Sequence, residues 1–282
     1  MRFSLCSLAI IIGLIINSLT SFCQPFFEPA SLSGSYFPKG ERQPFHGEKS
    51  FMLNLSVPLK LAPGRLLVLS PFQEYRNSYE ADGKWYPDLY STAIPVSFVS
   101  YFNDSNWVFN LTVINRWNRT EPEFGRDSWQ LGGAVINTFR LREGLKIKFG
   151  LYYNREFFSD FFVPLAGLEW KISKRLQLFG TLPNNMKMEY RATEKIYAGA
   201  VFRSITNSYR NLQSEGGYFK LTDNQVGLFA DATVFDKMIF SLEAGRTFFK
   251  TTKGRIPDSF YERKSDSFYV RAGISYRIRF DN

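Results

Sequence analysis

The amino-acid sequence predicts an all-β protein, a closed antiparallel up-and-down β-barrel of about fourteen strands that crosses a membrane. Three observations predict this fold. Apolar and polar residues alternate with a period of two along most of the chain after residue 23, as in strands whose two faces meet different surroundings. The connections between these segments are alternately short and long, and aromatic residues lie near the segment ends. Together these features are typical of transmembrane β-barrels.

The composition excludes several other classes of protein. Aromatic residues make up 17% of the 282 residues, which is too many for a disordered chain. A single early apolar run excludes a polytopic helical membrane protein. Two cysteines exclude a disulfide scaffold or a cysteine-based zinc site. The formal net charge of +9 is modest, and basic residues are interspersed with acidic ones, so we expect no nucleic-acid partner and no cofactor.

Residues 1–23 predict a signal peptide that is cleaved, which leaves residues 24–282 as the barrel domain. Arg2 precedes an almost wholly apolar run from Leu5 to Ile16, and polar residues follow. This order is that of a secretory signal, and the run is short for a transmembrane helix. Small residues at Ser21 and Cys23 predict cleavage before Gln24. A lipidated Cys23 is the alternative.

The last segment shows the strand pattern best. Its apolar row consists of Phe268, Val270, Ala272, Ile274, Tyr276, Ile278 and Phe280. The intervening row is largely polar. Thirteen residues are enough to cross a bilayer, since a tilted strand needs about 9–11. The same alternation recurs at 50–59, 106–113, 145–154, 225–234 and 238–245, and no segment has a convincing helical period.

The connections predict which side each strand end faces. Tight connections occur at 61–64, 103–106, 142–144, 173–175, 193–195 and 236–237. Long polar ones occur at 39–49, 76–88, 118–128, 204–223 and 250–264. An exported barrel needs an even number of strands, and segment 29–37 supplies the fourteenth. Residues 176–191 are the doubtful region, because one of two short segments there need not span; twelve strands is therefore the alternative.

Closure follows from the chemistry of the membrane interior. Each unpaired backbone N–H or C=O costs several kcal/mol in hydrocarbon, so a sheet that spans must close on itself. Aromatic residues near the predicted strand ends suit the two interfacial girdles of such a barrel. These are Trp85, Tyr86, Trp117, Trp129, Phe157, Phe158, Phe161, Phe162, Phe248 and Phe249. The alternative is the aromatic core of a soluble β-sandwich.

Two parts of the chain resemble known proteins. The alternating last strand, which ends in Arg279-Phe280, resembles the targeting signal of outer-membrane barrels. The stretch from Phe162 to Gly199 resembles an uncharacterised family of Gram-negative outer-membrane β-barrel proteins, a domain of unknown function that spans most of the mature chain. Pro164, Gly167, Trp170, Pro183 and Tyr190 carry this resemblance. The two resemblances together imply location in the outer membrane, contact with outer-membrane lipid, and recognition of the last strand by the assembly machinery. They imply no activity.

The sequence offers little catalytic chemistry. His46 is the only imidazole, and it falls in a predicted external loop. A lipid-active barrel enzyme could use such a histidine as a general base, but an exposed loop histidine is the commoner situation. No Gly-x-Ser-x-Gly, phosphate-loop or HExxH motif is present. We therefore expect no enzyme activity.

The charged residues of the polar rows are expected to face the lumen. The candidate lumen-lining residues are Arg271, Arg277, Arg279, Glu243, Lys146, Lys148 and Asp231. Glu156, Lys187, Glu189 and Arg191 are expected on the same face. The row of three arginines would favour anions if it lined a path. Alternatively, these arginines pair with Glu243 on the preceding strand and only stiffen the wall.

Two functions remain open from the sequence. One is a passive channel or uptake pore for small polar or anionic solutes in the outer membrane. The other is a closed-lumen barrel that acts in structure, adhesion or envelope assembly without transport. Larger barrels leave a channel whereas smaller ones fill with side chains, and the polar inner rows favour the channel. The oligomeric state is not predicted.

Overall fold

The computed structural model describes residues 25–38, 47–79, 87–102, 106–256 and 259–280. The predicted signal peptide (residues 1–23) and His46 lie outside the described residues. Strands account for most of the described chain, and a 3-10 turn at Arg126–Ser128 interrupts them. No helix in the described ranges is both long enough and apolar enough to cross a membrane.

Seventeen strand segments form one sheet. They are β1 Phe26–Phe37, β2 Gly47–Leu55, β3 Val57–Ala62, β4 Arg65–Leu69, β5 Phe72–Tyr79, β6 Leu89–Phe102, β7 Trp107–Arg119, β8 Trp129–Arg142, β9 Leu145–Arg155, β10 Asp160–Lys171, β11 Leu176–Leu182, β12 Asn185–Arg191, β13 Ile196–Arg210, β14 Tyr218–Phe235, β15 Met238–Ile256, β16 Ser259–Lys264 and β17 Phe268–Arg279.

The sheet is a closed barrel of fourteen wall strands, which confirms the predicted fold class. Three pairs of segments (β2 with β3, β4 with β5, and β16 with β17) are each one wall strand with a short break. Strand β1 closes the ring because it pairs antiparallel with β17, from Phe26 opposite Arg279 to Tyr36 opposite Val270. On its other edge β1 pairs with β2. Closure leaves no free edge at this seam.

Both ends of the described chain lie at the same end of the barrel, where the Phe280 N–H donates to the Pro25 carbonyl at 2.9 Å. We call this the turn end, because the short turns at 63–64, 143–144, 172–175, 192–195 and 236–237 also lie there. The opposite end, the loop end, carries the long connections between β1 and β2, β5 and β6, and β7 and β8, together with shorter ones such as that between β9 and β10. This arrangement is the one that the alternation of short and long connections predicts.

Two of the predicted long loops are wrong. Within 204–223, β13 continues to Arg210 and β14 begins at Tyr218. Within 250–264, β15 continues to Ile256 and β16 runs from Ser259 to Lys264. Polar side chains indicate exposure to water, but they do not prevent the backbone from pairing. Hairpins therefore extend beyond the apolar part of the wall without a signal in the polarity pattern.

The outer face of the barrel is apolar. Large side chains such as Leu228, Phe240 and Ile274 project from it and are 46–71% exposed. The predicted girdle residues Trp129, Phe162, Phe248 and Phe249 are also exposed on this face, whereas Phe161 points inward. At the turn end four rings stack across neighbouring strands, with centroids 4.7 to 5.7 Å apart, in the order Phe102, Trp107, Phe139 and Phe149. An apolar outer belt on a closed sheet is the surface of a membrane-spanning barrel rather than of a soluble sandwich.

The barrel wall is low, that is, short along the barrel axis, at β11 and β12. This is the region in which the sequence leaves open whether both segments span the membrane. Both segments are wall strands, but each has seven residues, against twelve in β10 and fifteen in β13. Strand β10 pairs with β11 only from Ala166 onward, and β13 pairs with β12 only as far as Arg203. The turn at Pro183-Asn184 therefore lies partway up the barrel.

The loop-end part of β13 leaves the wall and crosses the lumen. Arg210 at its end pairs in parallel with Arg119 of β7, which is not its neighbour in the wall. The Thr120 N–H donates to the Arg210 carbonyl at 3.0 Å. Tyr209 packs against Leu89 and Leu221 in a buried cluster. The lumen is thus constricted by a strand of the barrel itself.

Candidate functional site

The inner face of the barrel has two chemically different sides. We call the inner surface of β12 to β17 with β1, β2 and β5 the charged side, and that of β4, β6, β7, β8 and β10 the apolar side. The charged side carries Glu28, Glu48, Glu74, Arg76, Lys187, Glu189, Arg203, Asp223, Asp231, Glu243, Lys250, Arg271, Arg277 and Arg279. A buried charge is costly unless it is paired, so the partners of these groups decide whether the side is open to a solute.

Near the turn end, two buried carboxylates hold the cations of the charged side. The Asp231 carboxylate lies 2.7 Å from Arg277 and 3.1 Å from Lys187. Glu189, which is fully buried, lies 2.8 Å from Arg279. Arg277 also lies 3.0 Å from Glu28 of β1. These contacts join β1, β12, β14 and β17 across the lumen.

At mid-height, Glu243 is the centre of a second group. Both of its oxygens accept a hydrogen bond from Arg203 at 2.6 Å, and the Tyr269 hydroxyl donates to it at 2.7 Å. Arg271 lies 4.0 Å away. Gly227 makes room for this arrangement, because a Cβ there would lie 2.5 Å from the Tyr269 hydroxyl.

A third group lies toward the loop end. Glu48 of β2 lies 2.9 Å from Arg76 and 2.8 Å from Lys250, and Glu74 lies 2.7 Å from the same arginine. Asp223 lies 3.9 Å from Arg76 and 4.0 Å from Lys250. The charged side is therefore cross-linked by ion pairs from the turn end to the loop end.

All seven candidate lumen-lining residues predicted from the sequence lie on the inner face. Lys148 and Lys146 of β9 lie 2.5 and 3.6 Å from Glu169 of β10. Asp231, Glu243, Arg277 and Arg279 belong to the groups above, and Arg271 donates to Ser35 at 2.8 Å and to Gln225 at 3.2 Å. The arginine row is not a free row of positive charge. Its side chains pair with groups on several strands across the lumen, and not with Glu243 alone.

Seven charged residues of this side are not among those that the sequence predicts on the inner face: Glu28, Glu48, Glu74, Arg76, Arg203, Asp223 and Lys250. Four of them fall within or at the edge of segments assigned to long loops. The signal that identifies them is the period of two itself. In β14 it continues unbroken through the buried residues Phe219, Leu221, Asp223 and Gln225.

The apolar side borders a cavity of about 820 Å³, which residues of β1, β2, β5, β9 and β13 also line. Its apolar lining includes Val68, Val99, Tyr101, Val108, Ile114, Ala134, Ile136, Phe161, Val163 and Leu165. Leu66, Val68, Val99 and Val108 form a buried cluster at the turn-end part of this side. A smaller cavity of about 460 Å³ lies on the charged side against Asp231, Glu243, Arg271 and Arg277.

A buried polar group, which we call the Arg116 cluster, lies at the loop-end side of the larger cavity. Arg116 donates to Asn207 of β13 at 2.5 Å and lies 3.4 Å from Glu156. Glu156 also accepts from the Ser208 N–H at 2.8 Å and from Gln130 at 3.0 Å. The cluster fixes the crossing part of β13 against β7, β8 and the β9–β10 connection. The described residues contain no group of three or more His, Cys, Asp or Glu side chains placed to hold a metal ion.

Comparisons with known proteins give one family and several structural similarities. The family model described as Domain of unknown function (DUF6268) matches residues 78–277. No curated protein matches the chain. An outer membrane channel from Pseudomonas putida F1 is 8% identical with a TM-score of 0.48, over 89% of this chain and 96% of that one. The TodX monoaromatic hydrocarbon channel is 9% identical with a TM-score of 0.45, over 93% and 92%. Outer membrane phospholipase A from Escherichia coli is 12% identical with a TM-score of 0.38, over 94% and 96%. At this identity the matches carry no information on solute or activity.

Proposed function

This chain belongs to the family described as Domain of unknown function (DUF6268), and we propose that it is a passive outer-membrane channel for small uncharged or weakly polar solutes. The observation that carries the proposal is the cavity of about 820 Å³ on the apolar side. Its lining runs from Phe27 and Tyr101 near the turn end to Arg116 and Asn207 beneath the loop end. A solute that enters this space meets mainly apolar side chains.

The charged side is a poor route for an anion. Arg203, Arg277 and Arg279 already face carboxylates at 2.6 to 3.0 Å, so an entering anion would have to compete with partners that are fixed in place. Arg271 lies farther from its carboxylate, 4.0 Å from Glu243. Breaking such a buried pair leaves an uncompensated charge, which is strongly unfavourable. The proposed solute class therefore differs from the polar or anionic solutes that the sequence alone favours.

The proposed location is the outer membrane, reached through the predicted signal peptide. The apolar outer belt supplies the contact with outer-membrane lipid. The last strand, β17, remains the proposed recognition element for the assembly machinery. No catalytic role is proposed for any residue.

A closed-lumen structural barrel is the second candidate, and a specific observation favours it. Strand β13 crosses to β7, and ion pairs cross-link the charged side, so both features reduce the open cross-section. A barrel braced in this way would be rigid and would conduct nothing.

Planar-bilayer conductance of the refolded protein separates the two candidates. We expect a small conductance with weak ion selectivity, because few charged groups line the cavity. Replacing Ala134, which lines the cavity, by Trp should reduce this conductance at least twofold, since the indole would occupy part of the route. The matched control is Val135→Trp. The neighbouring Val135 faces outward, opposite Leu111 and Leu151 in the register.

The outcomes of this measurement are distinct. Conductance that falls in Ala134→Trp and is unchanged in Val135→Trp supports the route through the apolar side. No conductance at any voltage or salt concentration, from a correctly folded barrel, would exclude the channel and leave the structural barrel. Strong anion selectivity would instead indicate that the arginine row conducts.

A further inference from the structure

Two strand edges face each other without pairing above the low part of the wall. Residues 160–165 of β10 pair with β9 but lie beyond the end of β11. Residues 204–210 of β13 pair with β14 but lie beyond the end of β12. No ladder joins β10 to β13 in the described chain. The wall is therefore interrupted between these two strands.

The interruption has defined limits, and we call the opening between them the window. On the turn-end side it is limited by the Ser204 N–H, which donates to the Asn184 carbonyl at 3.0 Å. On the loop-end side it is limited by the Phe157 N–H, which donates to the Ser208 hydroxyl at 2.8 Å. Between these bonds, Phe161, Val163 and Leu165 of β10 and residues 205–207 of β13 line the same cavity.

The alternation along β13 shows that the window connects the cavity with the outer surface. Strand β13 pairs with β14 in continuous register from Ile196 to Arg210, so its even-numbered side chains stay on one face. At Ile196 that face is the exposed outer face of the barrel. At Ser204 and Thr206 the same face lines the cavity of about 820 Å³. One uninterrupted strand face thus passes from the membrane surface into the lumen.

The window lies at the level of the apolar belt, and its β10 edge is apolar, whereas Ser204, Thr206 and Asn207 on its β13 edge are polar. Through the strand register, Pro164 is aligned with Leu151, Val135 and Leu111, which belong to the outer apolar rows. The inner face of the β10 edge carries aromatic and aliphatic side chains that line the cavity. Pro164 has no N–H, so this unpaired stretch has one donor fewer to leave unsatisfied against hydrocarbon.

We propose that the window is a lateral portal through which a small aliphatic hydrocarbon passes between the cavity and the acyl chains of the membrane. The proposal rests on the proposed channel function and specifies its substrate class. An aliphatic molecule loses no hydrogen bonds on moving between apolar lumen and lipid, whereas a polar solute would have to give up its water at the window. The Arg116 cluster and the crossing part of β13 stand between the cavity and the loop end, so the lateral path is the less obstructed one.

The first experiment asks whether the window is open to hydrocarbon. Single cysteines are introduced into the full chain, with Cys6 and Cys23 replaced by serine, and are labelled with bimane. The labelled protein is reconstituted into vesicles of phosphatidylcholine brominated on its acyl chains, which quench bimane on contact. Thr206→Cys reports on the window, Phe202→Cys on the outer face of the same strand, and Val201→Cys on its buried inner face.

We expect the label at Thr206 to be quenched at least half as strongly as the label at Phe202, and the label at Val201 to be quenched weakly. Weak quenching at Thr206 beside strong quenching at Phe202 would overturn the proposal. If the Thr206 variant does not fold, Val163→Cys on the opposite edge replaces it with the same expectation.

The second experiment asks whether a free hydrocarbon passes through the window. The label is placed at Ile136, deep in the cavity, and 1-bromododecane is added to vesicles of unbrominated lipid. We expect quenching that falls at least twofold when Val163→Trp narrows the window and is unchanged by Phe162→Trp, which points outward. Quenching at Thr206 by brominated lipid without quenching at Ile136 by bromododecane would overturn the portal.

These outcomes can be told apart from failure of the proposed channel. If Thr206 and Ile136 are quenched as expected while planar bilayers show no conductance, the portal stands and the axial channel does not. If conductance falls in Ala134→Trp while Thr206 is not quenched, the channel stands and the portal does not.

Discussion

Replacing Glu243 by Gln is expected to lower the free energy of unfolding by about 3–5 kcal/mol, because removing one partner of a buried ion pair leaves the other charge uncompensated. Arg203 makes two hydrogen bonds of 2.6 Å to this carboxylate and has no other carboxylate within 4 Å among the described residues. Arg271, at 4.0 Å, loses its nearest negative charge as well. The amide of glutamine is close in size but has no charge to offer.

The measurement is denaturant unfolding of the protein refolded into vesicles, followed by tryptophan fluorescence. The matched control is Glu262→Gln, which removes the carboxylate of an exposed pair with Lys253 at 3.0 Å. Exposed pairs contribute about 0–1 kcal/mol, so this variant should remain close to the parent. Equal effects of the two substitutions would contradict the assignment of Glu243 to a buried, structural ion pair.

Replacing Ile274 by Arg is expected to cost about 2–4 kcal/mol, the range for a basic residue on the lipid face near the membrane midplane. Ile274 lies in the middle of β17, and its side chain is half exposed on the outer face. Its register partners Leu32 and Phe240 are also exposed there. At this depth the lipid contains neither water nor a negatively charged group that could stabilise the guanidinium.

The same unfolding measurement tests this expectation, with Leu141→Arg as the control. Leu141 is also exposed, but it lies at the turn end of β8, where a basic residue should cost no more than about 1 kcal/mol. A cost at Leu141 as large as at Ile274 would mean that the belt is centred elsewhere. A negligible cost at Ile274 would contradict the assignment of its face.

The local sequence pattern was sufficient to predict the fold, because the alternation of apolar and polar residues within each strand indicates which of its faces is outward and which is inward. The alternation in 268–280 places Ile274 outward and Arg277 inward without knowledge of any neighbour; in the structure Ile274 is half exposed and Arg277 is buried. The strand count followed from the requirement for an even number, which made 29–37 a strand. Strand ends were less predictable, as 204–223 and 250–264 show, because paired backbone outside the membrane tolerates polar side chains on both faces.

The site was predictable only in part, because its partners are distant in sequence. Parity places Arg279 and Glu189 on the inner face, but their contact at 2.8 Å depends on the curvature that brings β12 near β17. Nothing local in 204–210 indicates that this part of β13 leaves the wall to reach β7. Phe161 likewise faces the cavity, although its place near a strand end suggested the interfacial girdle.

The seam between β1 and β17 has a consequence for the order in which the molecule is built. It includes a hydrogen bond from Arg271 to Ser35, residues 236 positions apart, so its formation carries the largest loss of chain entropy of any adjacent pair in the ring. We expect these two strands to pair last, after the intervening hairpins have paired with one another in turn. Until they pair, the curved sheet has two edge strands with unpaired backbone N–H and C=O groups. Any protein that guides its insertion into the membrane has to bind one of these two edges.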